Sequence, residues 1–258
     1  MDLPLQTVAA ALASGAVVGL FLSVFGGGGS VLAAPLLLYV VGVRDAHIAL
    51  GTSAAAVAAN AAAGLLAHAK AGRVKWPCAL VFGGAGLAGS LAGSTLAKQV
   101  EGQQLLLFFA LAMAAVGLSM FRPRKSEGDP SVFLRPAMVL KLAPIGLVTG
   151  FAAGFFGIGG GFLIAPGLMA ATGMTLSHAA ASSLLSVTVF GSATAANYAV
   201  SGMVDWPLVG LLVAGGAAGT VAGIPIARAL ESRAALGRKL FAGLILIVAA
   251  YVAWRATH

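Results

Sequence analysis

The sequence predicts an all-α polytopic membrane protein built from two inverted repeats of about five helical segments each. Three observations carry that expectation: a composition only lipid can solvate, a duplication of the whole chain, and a charge pattern that changes ends between the copies. Of 258 residues, 60% are hydrophobic and 9% charged, whereas about 25% are charged in soluble domains. Too few polar side chains remain to cover a water-facing surface. At about 20 residues per span, the length allows roughly ten crossings and no separate soluble domain. The 36 glycines suit membrane helices, where small residues let backbones approach.

The duplication shows at an offset of 131 residues. Phe25-Gly-Gly-Gly-Gly-Ser-Val-Leu-Ala-Ala-Pro35 aligns with Phe156-Gly-Ile-Gly-Gly-Gly-Phe-Leu-Ile-Ala-Pro166, and His47 aligns with His178. After a one-residue slip, Gly72 and Trp76-Pro77 match Gly202 and Trp206-Pro207. The expected division is a first membrane repeat over 1–121, a linker over 122–138 and a second repeat over 139–258, within one membrane domain.

Apolar runs place the elements in order. The first copy has them at 6–25, 30–41, 46–69, 77–97 and 103–121, the second at 139–156, 161–172, 177–199, 207–227 and 237–255. All but the second run of each copy are long enough to span. That run covers only about 18 Å as a helix, so the glycine tract before it is expected inside the membrane thickness.

Loops rich in Lys and Arg mark the cytoplasmic side. The third connection holds Lys70, Arg73 and Lys75 in the first copy but only Asp205 in the second. The next connection reverses this, with Lys98 and Glu101 against Arg228, Arg233, Arg238 and Lys239 beside Glu231. Five crossings per copy, an odd number, would invert the second copy and produce this reversal. Both termini then lie outside, and the cytoplasmic loops hold 12 of the 15 Lys and Arg residues. Asp2, with no cation ahead of the first apolar stretch, argues against a cleaved signal peptide.

Inverted repeats with interrupted helices are a common build of secondary transporters, with the substrate held between the repeats. The interruptions here are Gly26, Gly27, Gly28, Gly29 and Ser30 in the first copy, and Gly157, Gly159, Gly160 and Gly161 in the second. A glycine run opening a helix offers backbone N–H groups and a positive dipole end, an anion cradle; close helix packing is the alternative reading. Neither tract continues as a phosphate-binding loop or lies in a βαβ unit, so no nucleotide cofactor is expected. Polar groups on the third run of each copy, Ser182, Ser183, Ser186 and Asn197 against Ser53 and Asn60, can replace an anion's hydration or bond other helices.

Other chemistries find little support. Every Asp and Glu falls in a loop or terminus, which disfavours a carboxylate proton relay and a divalent-metal site. The histidines His47 and His178 are the candidates for coupling to protons, with a capping or interfacial role as the alternative. Cys78 is the one cysteine, which excludes an internal disulfide and a cysteine metal cluster. No basic helix carries interleaved aromatics, so nucleic acid is not an expected partner. An intramembrane hydrolase would need a nucleophile beside a base, and Ser53 and His47 lie about 120° apart on a helix. The chain is not expected to be an enzyme.

At the motifs Phe25-Gly-Gly-Gly-Gly-Ser and Phe156-Gly-Ile-Gly-Gly-Gly, each followed by a proline within a short apolar run, the chain resembles the TauE/SafE family of membrane permeases. The resemblance covers essentially the whole chain. It implies a multi-pass protein of the bacterial inner membrane that exports small sulfur-containing anions, such as sulfite or organosulfonates. Its partners would be that anion and the lipid bilayer; the resemblance lends no coupling mechanism, and a proton or other coupling ion is expected only from His47 and His178. An anion channel would share the cradle and is the alternative function.

Overall fold

The structure, a computed structural model, describes residues 4–120, 128–129, 131–157, 161–231 and 234–257. The described residues form helices joined by short loops: α1 (Leu5–Phe25), α2 (Ala33–Leu36), α3 (Ala46–Lys70), α4 (Trp76–Ala97), α5 (Gly102–Met120), α6 (Pro136–Phe155), α7 (Gly161–Thr172), α8 (Leu176–Val200), α9 (Trp206–Glu231) and α10 (Ala234–Thr257). Helix α2 is extended on both sides, by a 3₁₀ segment at Gly26–Leu32 and a π turn at Leu37–Val41. Eight stretches among the described residues are long and apolar enough to cross a membrane, Leu5–Val41 counting as one, and Leu163–Thr172 is a shorter apolar helix. Large apolar side chains such as Leu111, Leu140, Val148, Val221 and Ile247 point outward, as expected where lipid is the solvent. This is an all-α, multi-pass membrane protein.

Local sequence sets the helix boundaries. Asp45 caps α3 by accepting hydrogen bonds from the amides of His47 (2.7 Å) and Ile48 (3.2 Å), and Thr175 caps α8 by accepting from His178 (3.5 Å). Such caps satisfy amides that have no partner inside the helix. Pro77 and Pro136 lie in the first turns of α4 and α6, where a missing N–H costs nothing. Six of the seven glycines with positive φ among the described residues occur at matching places along the chain: Gly26 with Gly157, Gly42 with Gly173, and Gly72 with Gly202.

Two differences from the sequence reading concern extent. The first glycine tract is not an open interruption, because everything from Gly27 to Leu32 is wound as 3₁₀ helix. Winding keeps backbone groups paired where no water can reach them, and it confines the break to Gly26. Helix α6 begins at Pro136, inside the expected linker.

Contacts sort the loops into two ends. At one, Arg44, Asp45, Gly102 and Arg255 line a common groove, and the Lys98 ammonium donates to Ser201 Oγ at 3.0 Å. At the other, Asp129 bridges to Met174 and the Lys75 ammonium lies 5.8 Å from the Phe133 ring centre. There, hydrogen bonds from the Ser131 hydroxyl and amide hold the Asp129 carboxyl below its ordinary pKa. Helices α3 and α8 pack antiparallel through the core, with Gly51 beside Tyr198, Gly191 beside Ala58 and Gly64 beside Leu184.

Two further pairs cross between the halves. Helix α1 packs parallel to α9, and α4 parallel to α6. In the first pair Gly15 meets Leu212, Gly19 meets Gly216 and Gly219 meets Ala16. In the second Gly146 meets Phe82, Gly150 meets Gly86 and Gly89 meets Leu147. Backbone touches backbone along both stripes, so these glycines serve close packing.

Candidate functional site

Helix α1 ends at Phe25, and the chain then reverses at Gly26, whose φ of +63° suits glycine. The returning segment runs back along α1, with Leu37 and Ala11 in one apolar cluster. The second half repeats the turn at Gly157, also at φ +63°, and α7 returns along α6, with Gly167 against Ile145 and Thr149. The two hairpins therefore open at opposite ends of the bundle.

Each hairpin tip seats on a helix of the other half. Gly26 lies against Ala180 of α8, and Gly157 against Leu50 of α3. A buried serine secures each: the Gly27 amide donates to Ser183 Oγ at 3.2 Å, while Ser53 Oγ donates towards the carbonyls of Gly157 (3.0 Å) and Leu50 (2.9 Å). Ser183 Oγ in turn donates to Ala180 O at 2.8 Å, and Ser30 Oγ to Gly27 O at 2.8 Å. The tips meet where Gly161 packs directly on the Gly27 backbone. Gly28 lies under the Phe241 ring and Gly29 against Phe21 and Leu22, so both also act in packing. Gly159 and Gly160, the remaining members of the expected cradle, lie outside the described residues.

The structure thus brings Gly26, Gly27, Ser30, Ser53, Gly157, Gly161 and Ser183 together, and disperses the other expected site residues. Ser182 Oγ accepts the Lys75 amide at 2.9 Å, and Thr52 does the same for Asp205 at 2.9 Å. Asn60 is buried against Gly216 of α9 and donates to Leu212 O at 3.4 Å. Asn197 joins α8 to α4: its amide donates to Ser94 (2.7 Å) and Thr95 (3.0 Å), and its Oδ1 accepts from Lys98 (2.8 Å). Ser186 Oγ is buried beside Gly83 with no hydrogen-bond partner among the described residues. His47 and His178 start helices at opposite ends; His47 stacks on Tyr198 at 6.3 Å, and His178 Nδ1 lies 3.3 Å from Thr175 Oγ1.

The sequence reading passed over Ser23 and Thr220. With Asn60, His68 and Arg73 they line a cavity of about 160 Å³. One signal was available: Ser90 and Thr220 recur at the slipped offset of 130 in otherwise apolar helices.

Comparison with known proteins bears directly on this arrangement. The family described as "Sulfite exporter TauE/SafE" matches residues 11–252, a span that includes both glycine hairpins and all the helices that hold them. The chain belongs to the TauE/SafE family. A TauE/SafE relative in Xylella fastidiosa strain 9a5c, a "Probable membrane transporter protein", is 45% identical over 255 residues, covering 98% of this chain and 97% of its own. YdhB of Bacillus subtilis, also a probable membrane transporter protein, is 25% identical over 204 residues, covering 77% of this chain and 80% of its own. MJ0441 of Methanocaldococcus jannaschii, named in the same way, is 31% identical over 157 residues and covers a little over half of each chain. No solved structure matches this TauE/SafE chain at a significant level. Membrane transport is the family's function, and the hairpin tips are the part of this TauE/SafE fold where helices break inside the apolar bundle.

Proposed function

We propose that this chain is a secondary transporter that exports a small sulfur-containing oxyanion, sulfite or an organosulfonate, by alternating access between two inverted halves. The observation that carries the reading is the pair of glycine-tipped hairpins that open at opposite ends and touch at Gly27 and Gly161. Helix breaks inside a membrane bundle mark the substrate region of transporters with repeated halves. The antiparallel packing of α3 on α8 supports an inverted relation between the halves, since these helices occupy matching places in the duplication. The concentration of Lys and Arg at the Lys75 end supports placing that end in the cytoplasm.

In this reading the anion binds beside the tips, where Ser53 and Ser183 now hold glycine backbone and would exchange those bonds for bonds to the oxyanion. His47 and His178, near opposite ends, are the groups for proton coupling. The test is flux of sulfite and sulfoacetate in proteoliposomes holding the purified chain, with and without an imposed pH gradient. Saturable flux that responds to the gradient with fixed stoichiometry is the expected result. Conductive, uncoupled flux would mean a channel, and no flux of either anion would end the reading.

A further inference from the structure

We infer that the seam between α4 and α8 is a gate, shut in this structure and latched by Lys98 on Asn197 and Ser201. The gate depends on the transport reading in one point, the opening of the two ends of the bundle in turn.

At the offset of 130 residues α4 matches α9 and α8 matches α3, so the α4–α8 seam has a counterpart between α9 and α3 at the Lys75 end. Ser90, Ser94, Thr194, Asn197 and Ser201 of the first seam match Thr220, Ile224, Gly64, Ala67 and Ala71 of the second. The first five close on one another. Ser90 Oγ lies 3.0 Å from Thr194 Oγ1, the Asn197 amide donates to Ser94 Oγ at 2.7 Å, and the Lys98 ammonium donates to Ser201 Oγ at 3.0 Å. The second five all line the cavity of about 160 Å³. Gly64, Ala67, Ala71 and Ile224 have no side-chain hydrogen-bonding group, and the Thr220 hydroxyl donates to Gly19 O of α1 at 3.3 Å. Burial follows the same division: Ser90, Ser94 and Thr194 are buried, whereas Thr220 and Gly64 are half-buried and Ile224 is exposed. Equivalent helix pairs are thus zipped at one end of the bundle and parted at the other.

The neighbouring contacts confine motion to these seams. Glycine stripes fix α4 to α6 and α9 to α1, with Gly150 on Gly86 and Gly19 on Gly216, and backbone packed on backbone leaves no slack. The α4–α8 seam is held by exchangeable side-chain bonds instead. All three hydrogens of the Lys98 ammonium go to α8, at Asn197 Oδ1 (2.8 Å), Asn197 O (3.2 Å) and Ser201 Oγ (3.0 Å). Asn197 returns both amide hydrogens to α4, at Ser94 and Thr95. The acceptors are neutral and Lys98 is half-buried, so water can replace them as the seam opens without stranding a charge in hydrocarbon. The parted seam leads to the first hairpin tip: on the cavity wall Leu22 packs against Gly29, and Leu184 follows Ser183 in sequence. By the same duplication, parting α4 from α8 leads to the second tip. The latch bonds run between α4 and α8, so breaking them redistributes access and removes no group from either tip.

The test uses the full chain with Cys78→Ser in proteoliposomes and one reporter at a time, Ser90→Cys in the α4–α8 seam or Thr220→Cys in the hollow. A membrane-impermeant trimethylammonium-ethyl thiosulfonate is present on both faces. Lys98→Met should speed labelling of the Ser90→Cys reporter at least about tenfold, as loss of bonds to a charged group implies, and slow labelling of the Thr220→Cys reporter severalfold. Asn197→Ala removes the other side of the clasp and should give the same pair of shifts, so a fold lost in one variant leaves the other to decide. Plain loosening of the structure would speed both reporters, or Ser90→Cys alone. Either of those results, or unchanged labelling at Ser90→Cys, overturns the gate. Flux of sulfite and sulfoacetate through the Cys78→Ser chain separates the two readings: opposite shifts without flux uphold the gate and sink the transport of these anions, whereas flux without opposite shifts sinks the gate alone.

Discussion

Ser53 and Ser183 are buried hydroxyls committed to the other half's glycine backbone, so removing either should cost about 0.5–1.5 kcal/mol, the net worth of one hydrogen bond. Thermal unfolding of Ser53→Ala and Ser183→Ala in detergent checks this. Gly27→Ala should be worse than either, because its methyl would meet the Val187 side chain at 2.6 Å and Gly161 Cα at 2.8 Å; a milder effect than Ser183→Ala would contradict the close contact. Asn197→Ala should destabilise by about 0.5–1.5 kcal/mol, since Lys98 loses the Asn197 Oδ1 but keeps the Asn197 carbonyl and Ser201 Oγ, and should leave anion affinity unchanged. The hydroxyls and amides on α3 and α8 were legible as unusual in the sequence. Their partners were not, because the Gly27–Ser183 bond joins residues 156 apart and spacing along one helix says nothing about what faces it.

At the scale of elements, the α1–α9 and α4–α6 contacts leave no room for side chains. Gly19→Val and Gly150→Val place a branched side chain onto the facing backbone, and overpacking of this kind costs at least about 1–3 kcal/mol. The yield of monodisperse protein after solubilisation should fall sharply for both. Gly84, Gly210 and Gly243 are helical glycines at which an added methyl meets nothing within 4 Å, so alanine there should stabilise by up to about 1 kcal/mol. The opposing signs within one residue type are the test, and equal effects at the two sets would refute the assignment. The sequence read the scattered glycines as packing residues, but not that each stripe pairs a helix of one half with a helix of the other. Spacing reveals a small-residue face and leaves its partner open.

For the whole molecule, the grouping of loops into two ends makes a labelling pattern. Single cysteines at Arg73 and Asp129 should react from one side of a sealed membrane, and those at Arg44 and Asp205 from the opposite side; reaction of Arg73 and Asp205 positions from a common side would break the topology. The helix count and the duplication were legible because apolar runs and repeated motifs are local properties of sequence. The depth of the hairpins was not. It depends on a single left-handed glycine in each half and on winding of the first tract, neither of which hydropathy records.

The crossed pairing also bears on how the chain is made. Thr220 donates to the carbonyl of Gly19 across 201 residues, a stretch that takes about 10–40 s to synthesise at 5–20 residues per second. Throughout that interval α1 waits in the bilayer with Gly15 and Gly19 uncovered, whereas the α4–α6 seam closes much sooner. A truncated or stalled product keeps the α1 stripe open however long it persists. Shielding of that stripe therefore reports that translation has passed α9, and a membrane protease that reads exposed small-residue faces would spare only finished chains.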